Sequence, residues 1–233
     1  MKKSPSYFNA LSRKETRIGL IYMAISLILL PSLLQQGNAM LASPLSSARL
    51  NFVYYCINFL VVVWIFRYFL KDSFRAALRS PFATSWYAAL GYLGSEALCE
   101  LLTILIFMIF PSFSNINDQT VFNLLGQEQT LIAIGTVIMV PVTEELFFRG
   151  LLFRNLWDKK QVLAYAVSMG SFALLHVVGY IGSFDPLHLL LCFVQYLPAG
   201  FCLCWCYRQT GTIATPIIMH AIVNAMGVSS AMR

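Results

Sequence analysis

Apolar residues dominate seven stretches of the chain, at 18–34, 51–66, 84–110, 130–142, 162–181, 187–205 and 212–228, separated by shorter polar connections. A helix needs roughly 20 apolar residues to cross the hydrocarbon core of a bilayer. Several stretches meet that length, and the others reach it with their flanks. The pattern predicts an all-α, polytopic transmembrane helical bundle of about seven membrane-spanning helices. The fourth span runs from about Thr130 to Trp157 and is interrupted by Pro141. A proline inside a helix frees a backbone carbonyl and kinks the axis, here just before Glu144 and Glu145. The connection 111–129 is rich in Ser, Asn, Asp and Gln and is expected to lie outside. In the basic stretch 71–81, Phe74, Ala77 and Leu78 share a helical face. A short helix on the inner membrane surface and a solvated loop both fit that stretch.

Composition strengthens the membrane reading. Of 233 residues, 58% are apolar and 11% charged, whereas a soluble domain carries about 25% charged residues. The net charge of +6 raises the possibility of nucleic acid, but its placement argues otherwise. Lys2, Lys3, Arg13, Lys14 and Arg17 precede the first span, and Arg67, Lys71, Arg75 and Arg79 follow the second. Arg154, Lys159 and Lys160 follow the fourth, and Arg208 follows the sixth. The alternate connections hold only Arg49, with Arg233 at the end. Basic residues collect on the cytoplasmic side, so the N-terminus is expected inside and the C-terminus outside. The partner is the lipid bilayer, not nucleic acid, and the location is a multi-pass integral membrane protein, of the cell membrane if bacterial.

Two other features change little. Gly37-Asn38-Ala39 resembles a signal-peptide cleavage site, but the preceding stretch is long for a signal core, and a retained helix is expected. Cys202, Cys204 and Cys206 alternate within a predicted helix, where such positions point apart. With no CxxC pair, the six cysteines read as small buried apolar residues.

The informative residues are the polar ones inside spans, because a charge at the bilayer centre costs between ~2.5 and ~17 kcal/mol. Glu145 and Arg149 are four apart and can pair on one helical face. Glu144 is turned from Glu145 by about 100°, faces a different environment and has no evident partner four residues away. Such a carboxylate is a candidate general base. Phe172 and His176 in the fifth span face a common neighbour, as do His220 and Asn224 in the seventh. Each pair alone could be a hydrogen-bonded core contact. Together they offer a carboxylate, an imidazole and a His/Asn donor pair on three helices. At 1.5 Å per residue, Glu144, His176, His220 and Asn224 lie roughly 20, 22, 12 and 18 Å from the inner ends of their helices, compatible with one level. His188, after Pro186 at the outer end of the sixth span, stands apart. Glu96 and Glu100 share a face of the third span, where they could line a proton path, bond the polar pocket or face water near a cavity.

These segments, in this order, resemble the CPBP family of intramembrane endopeptidases, the Abi-like group of CAAX-prenyl proteases and bacteriocin-processing or immunity proteins. The family pattern EExxxR, FxxxH and HxxxN/D is met by Glu144-Glu145-x-x-x-Arg149, Phe172-x-x-x-His176 and His220-x-x-x-Asn224, with no motif residue missing. Tyr207-Arg208-Gln209-Thr210-Gly211, leading into Pro216, also looks like the family's approach to its last motif. The likeness covers about 130–228. It divides the chain into N-terminal transmembrane helices (1–129, three spans) and a CPBP-like catalytic core (130–233, four spans).

The resemblance implies that Glu144, assisted by His176, activates water to cut a membrane-associated peptide or protein. His220 and Asn224 would stabilise the oxyanion, and Glu145, Arg149 and Phe172 would support the site. A divalent metal such as Zn, held by Glu144, His176 and His220 with one open position, is the alternative. A metal-independent glutamic mechanism is preferred, because HExxH is absent and Asn224 beside His220 makes a natural donor pair. Two rival functions stand beside proteolysis. One is a proton-coupled carrier or channel using Glu96, Glu100, Glu144 and the histidines. The other is a non-catalytic immunity or peptide-binding protein.

Overall fold

The structure, a computed structural model, describes residues 11–232; Lys2, Lys3 and Arg233 of the charge pattern lie outside them. Among the described residues the helices are, in order, α1 (Arg13–Ala39), α2 (Ser47–Ile65), α3 (Arg67–Arg79), α4 (Pro81–Ile109), α5 (Ile116–Gln127), α6 (Gln129–Trp157), α7 (Gln161–Val178), α8 (Pro186–Thr210) and α9 (Ala214–Ala231). All but α3 and α5 are long and apolar enough to cross a membrane, seven in total. The protein is an integral, multi-pass membrane protein. Its exterior fits that solvent: Leu60, Trp64, Leu101 and Met108 are exposed, while Glu145 and Arg149 are fully buried. Lipid rewards the first and forbids an unpaired version of the second.

Two connections are helices. Residues 71–79 belong to α3, which turns Phe69, Leu70, Ser73 and Ala77 inward and leaves Phe74 and Leu78 exposed. Polar bonds pin it at both ends. Glu15 accepts the Phe69 N–H at 3.3 Å, and Ser73 Oγ accepts the Ile213 N–H at 2.8 Å, capping the approach to α9. The polar segment 111–129 contains α5, whose N-cap Asn115 accepts the N–H groups of Asn117 and Asp118 at 3.0 and 3.3 Å. Leu124 and Leu125 are buried and anchor it. Among its polar residues, Asn117 and Asp118 line a cavity of the bundle.

Two membrane helices share a device. In α1 the Leu30 N–H bonds to the Ile25 carbonyl, five residues back, and Pro31 follows. In α6 the Val140 N–H bonds to the Gly135 carbonyl in the same way, and Pro141 follows. A π turn skips one acceptor, and the proline that would reach it has no N–H. The carbonyls of Ser26 and Thr136 are thereby released. Neighbouring helices take both: Tyr54 Oη donates to Ser26 at 3.2 Å, and Asn224 Nδ2 donates to Thr136 at 2.8 Å. The helix interruption expected at Pro141 is thus a fitted socket for a polar side chain of α9.

One core runs through the bundle. Phe66 of α2 and Phe69 of α3 pack with Phe147, Phe148 and Phe153 of α6 and Tyr207 of α8. At Gly91, α4 comes so close to α8 and α9 that a Cβ would collide with Cys206 Sγ and lie 2.8 Å from Met219 Sδ. Both partners are fully buried. Gly91→Ala is expected to cost about 1–3 kcal/mol through overpacking, read as a lower unfolding temperature in detergent. An unchanged temperature would show that the three helices separate easily. Gly211, with φ of 69°, ends α8 in the left-handed region and turns the chain into α9.

Candidate active site

The buried centre is Glu145. Its Oε1 accepts from Arg149 Nη1 at 3.0 Å and from His220 Nδ1 at 2.9 Å. Arg149 also donates through Nη2 to the Gly200 carbonyl of α8 at 3.1 Å, and its guanidinium lies 4.5 Å from the centre of the Phe172 ring. The pairing expected four residues apart is therefore present, and it ties α6 to α7, α8 and α9. Phe172 fills the space between the histidines, with ring centroids 4.7 Å from His176 and 5.7 Å from His220. A second π segment, Leu146–Phe153, begins directly after Glu145 and contains Arg149. Such segments turn side chains that a regular helix would aim elsewhere.

Glu144 faces the other way. It lines a cavity of about 620 Å³ together with His176, His220 and Asn224. Its Oε2 is shielded, has no hydrogen-bond partner, and lies 4.0 Å from His220 Nε2. That separation exceeds a hydrogen bond and leaves room for an oxygen between them. The sequence-predicted site residues therefore gather at one cavity, with Glu145, Arg149 and Phe172 behind it.

Hydrogen bonds fix the proton positions. His176 Nδ1 lies 2.8 Å from the Phe172 carbonyl, which can only accept. Nδ1 therefore carries a proton, and in the neutral form of the ring Nε2 keeps a lone pair. His220 Nδ1 donates to Glu145, so its Nε2 is the atom turned to Glu144. Asn224 uses one amide hydrogen on Thr136 and retains a second.

The cavity also contains residues that spacing did not reveal. Tyr196 of α8 stacks on His176, with centroids 4.1 Å apart and planes at 26°. Its hydroxyl donates to Asp118 at 2.8 Å and accepts from Asn117 Nδ2 at 3.1 Å, linking that stack to α5. Thr143, immediately before Glu144, is buried and its hydroxyl has no partner. Among the described residues no group of three or more His, Cys, Asp or Glu side chains is arranged to hold a metal ion. Glu144, His176 and His220 are not such a group. Glu96 lines the cavity, whereas Glu100, one turn further on, does not. His188 bonds the Ser114 carbonyl at 2.9 Å, away from the site.

Comparison with known proteins shows the family. The family model for type II CAAX prenyl endopeptidases, Rce1-like, matches residues 126–226. UPF0177 protein YxdF of Lactococcus lactis subsp. lactis strain IL1403 is 30% identical over 131 residues, 56% of this chain and 67% of that protein. The chain belongs to the Rce1-like, CPBP family. A second relative, "Putative membrane peptidase YdiL" of Bacillus subtilis strain 168, is 30% identical over 113 residues, 48% of this chain and 41% of YdiL. The match to YdiL thus takes in less than half of that protein. No solved structure matches the chain. As an Rce1-like protein, the chain is a membrane protease of the peptidase class, and the matched segment contains the cavity face of α6 as well as α7, α8 and most of α9.

Proposed function

We propose that the protein is a glutamic intramembrane endopeptidase in which Glu144 activates the water that attacks the scissile carbonyl. The observation that carries this reading is the shielded, unbonded Glu144 oxygen 4.0 Å from His220 Nε2, inside a cavity large enough for an extended peptide segment. Water placed between them gives a proton to Glu144, and its oxygen adds to the carbonyl carbon. His176, whose free lone pair is Nε2, accepts a hydrogen bond from the same water and orients it. The carbonyl oxygen becomes an oxyanion within reach of the second Asn224 N–H and of His220 Nε2–H. The buried Glu145 carboxylate stabilises the imidazolium form of His220 that this donation needs. Glu144 then returns its proton to the departing amine, and the peptide bond is broken with one water consumed.

The membrane-embedded substrate reaches this cavity from the side away from the main basic clusters, where Arg49 pairs with Glu128 at 2.6 Å. With the N-terminus placed on the cytoplasmic side, as the charge pattern proposes, the cavity opens toward the outer half of the bilayer. Its wall includes α5 and the last turns of α9.

The test is cleavage of a fluorogenic single-span peptide by the purified protein in lipid vesicles. We expect cleavage, and a loss of kcat of about 100-fold in both His220→Ala and Asn224→Ala. A chelator titration with metal analysis is expected to leave the wild-type rate unchanged. Loss of activity that Zn²⁺ restores would replace the glutamic mechanism with a metal-dependent one. Solute flux without cleavage, sensitive to changes at Glu96 and not at His220, would replace the protease with a carrier.

A further inference from the structure

Glu96 sits near the middle of α4 and lines the same cavity as Glu144. Among the described residues its carboxylate has no hydrogen-bond partner and no counter-ion. An ionisable group inside a membrane span calls for a partner, and none stands beside Glu96 among the described residues. Among the described residues no Lys or Arg lines the cavity, while Glu96, Asp118 and Glu144 all do. The Asp118 carboxylate accepts the Tyr196 hydroxyl at 2.8 Å and is committed to that bond. A polar wall joins the helices of Glu96 and Asp118: Gln195 donates to Thr103 at 3.2 Å and accepts from Asn115 at 2.9 Å. Thr143, 8% exposed, belongs to the same cavity lining, and its hydroxyl has no partner.

We infer that the cavity selects membrane peptides bearing a lysine or arginine side chain near the scissile bond, and that Glu96 reads that charge. The inference rests on the proteolytic reading of the site and names the chemistry of its substrate. A cation entering the bilayer loses hydration, and an unpaired carboxylate on the cavity wall returns part of that loss. A peptide with leucine at the same place leaves Glu96 unpaired. A peptide with glutamate there adds a like charge to a cavity that already holds three acids. Glu96 is thus a specificity residue; Glu100 is exposed like it but does not line the cavity.

The experiment uses the full chain in phosphatidylcholine vesicles and N-terminally acetylated single-span peptides. The peptides differ only by Leu, Lys or Glu at successive positions around a cleavage site mapped by mass spectrometry. For the wild type, Lys at one position is expected to raise kcat/KM by about tenfold over Leu. Glu96→Gln should bring that ratio close to one, and Glu96→Lys should favour the Glu peptide. Glu100→Gln should leave the ratio as in the wild type. If Glu96→Gln retains the Lys preference, or no position shows one, the charge-reading role is overturned while proteolysis stands. If the wild type cuts none of the peptides, the proteolytic reading falls and takes this inference with it.

Discussion

Glu144→Gln is expected to lower kcat by about 10³-fold, within the range that general-base catalysis supplies, while unfolding at the wild-type temperature. The two halves of this expectation have separate physical grounds. Gln keeps the size and one oxygen of the side chain but cannot take a proton from water. Glu144 Oε2 has no hydrogen-bond partner to lose, and the ring nitrogen His220 Nε2 is 4.0 Å away. The fold does not lean on this carboxylate. The same variant should still hold an uncut peptide, seen by fluorescence anisotropy of a labelled span in vesicles. That retained binding also separates an enzyme from a peptide-binding protein, because the latter would be indifferent to the substitution in every assay. Cleavage by Glu144→Gln within tenfold of wild type would remove Glu144 from the role of base.

How much of this could be read from the chain depends on how far each contact reaches along it. The seven spans were legible because lipid imposes a length and an apolar composition on each helix separately. The Glu145–Arg149 pair was legible because residues four apart share a face. The opposite outlook of Glu144 followed from the same geometry. Contacts between helices were not legible. Glu145 reaches His220, 75 residues away, and Asn224 reaches the Thr136 carbonyl, 88 residues away. Nothing in the spacing of either residue encodes the approach of α9 to α6.

The π turn before Pro141 is intermediate in this respect. The proline announced a freed carbonyl, but which carbonyl, and what would take it, depended on the five-residue hydrogen bond from Val140. Tyr196 gave no signal, being one aromatic among many in an apolar run, and its stack on His176 is set by how α7 and α8 pack. Helix α5 was hidden for a different reason. Its polar residues marked only a connection lying outside, and two of them, Asn117 and Asp118, line a cavity that other helices also build.

Arg149→Leu is expected to destabilise the protein by about 3–5 kcal/mol, the cost of leaving one partner of a buried ion pair uncompensated. Arg149 and Glu145 are both fully buried, so water cannot replace what is lost. The substitution removes the bond to Glu145, the bond to the Gly200 carbonyl and the contact with the Phe172 ring. It leaves a carboxylate whose remaining hydrogen-bond donor is His220 Nδ1. Arg149→Lys should recover part of the stability, since an ammonium keeps the charge but cannot bond Glu145 and Gly200 in the same planar fork. Combining Arg149→Leu with Glu145→Gln should cost less than the sum of the single changes, because the orphaned charge is gone. Cleavage should nevertheless stay low in the double variant, since the neutral amide no longer stabilises the imidazolium of His220. Unfolding temperatures in detergent and cleavage rates in vesicles read the two effects separately. A double variant that is stable and fully active would mean that the Glu145 carboxylate plays no part in setting the charge of His220.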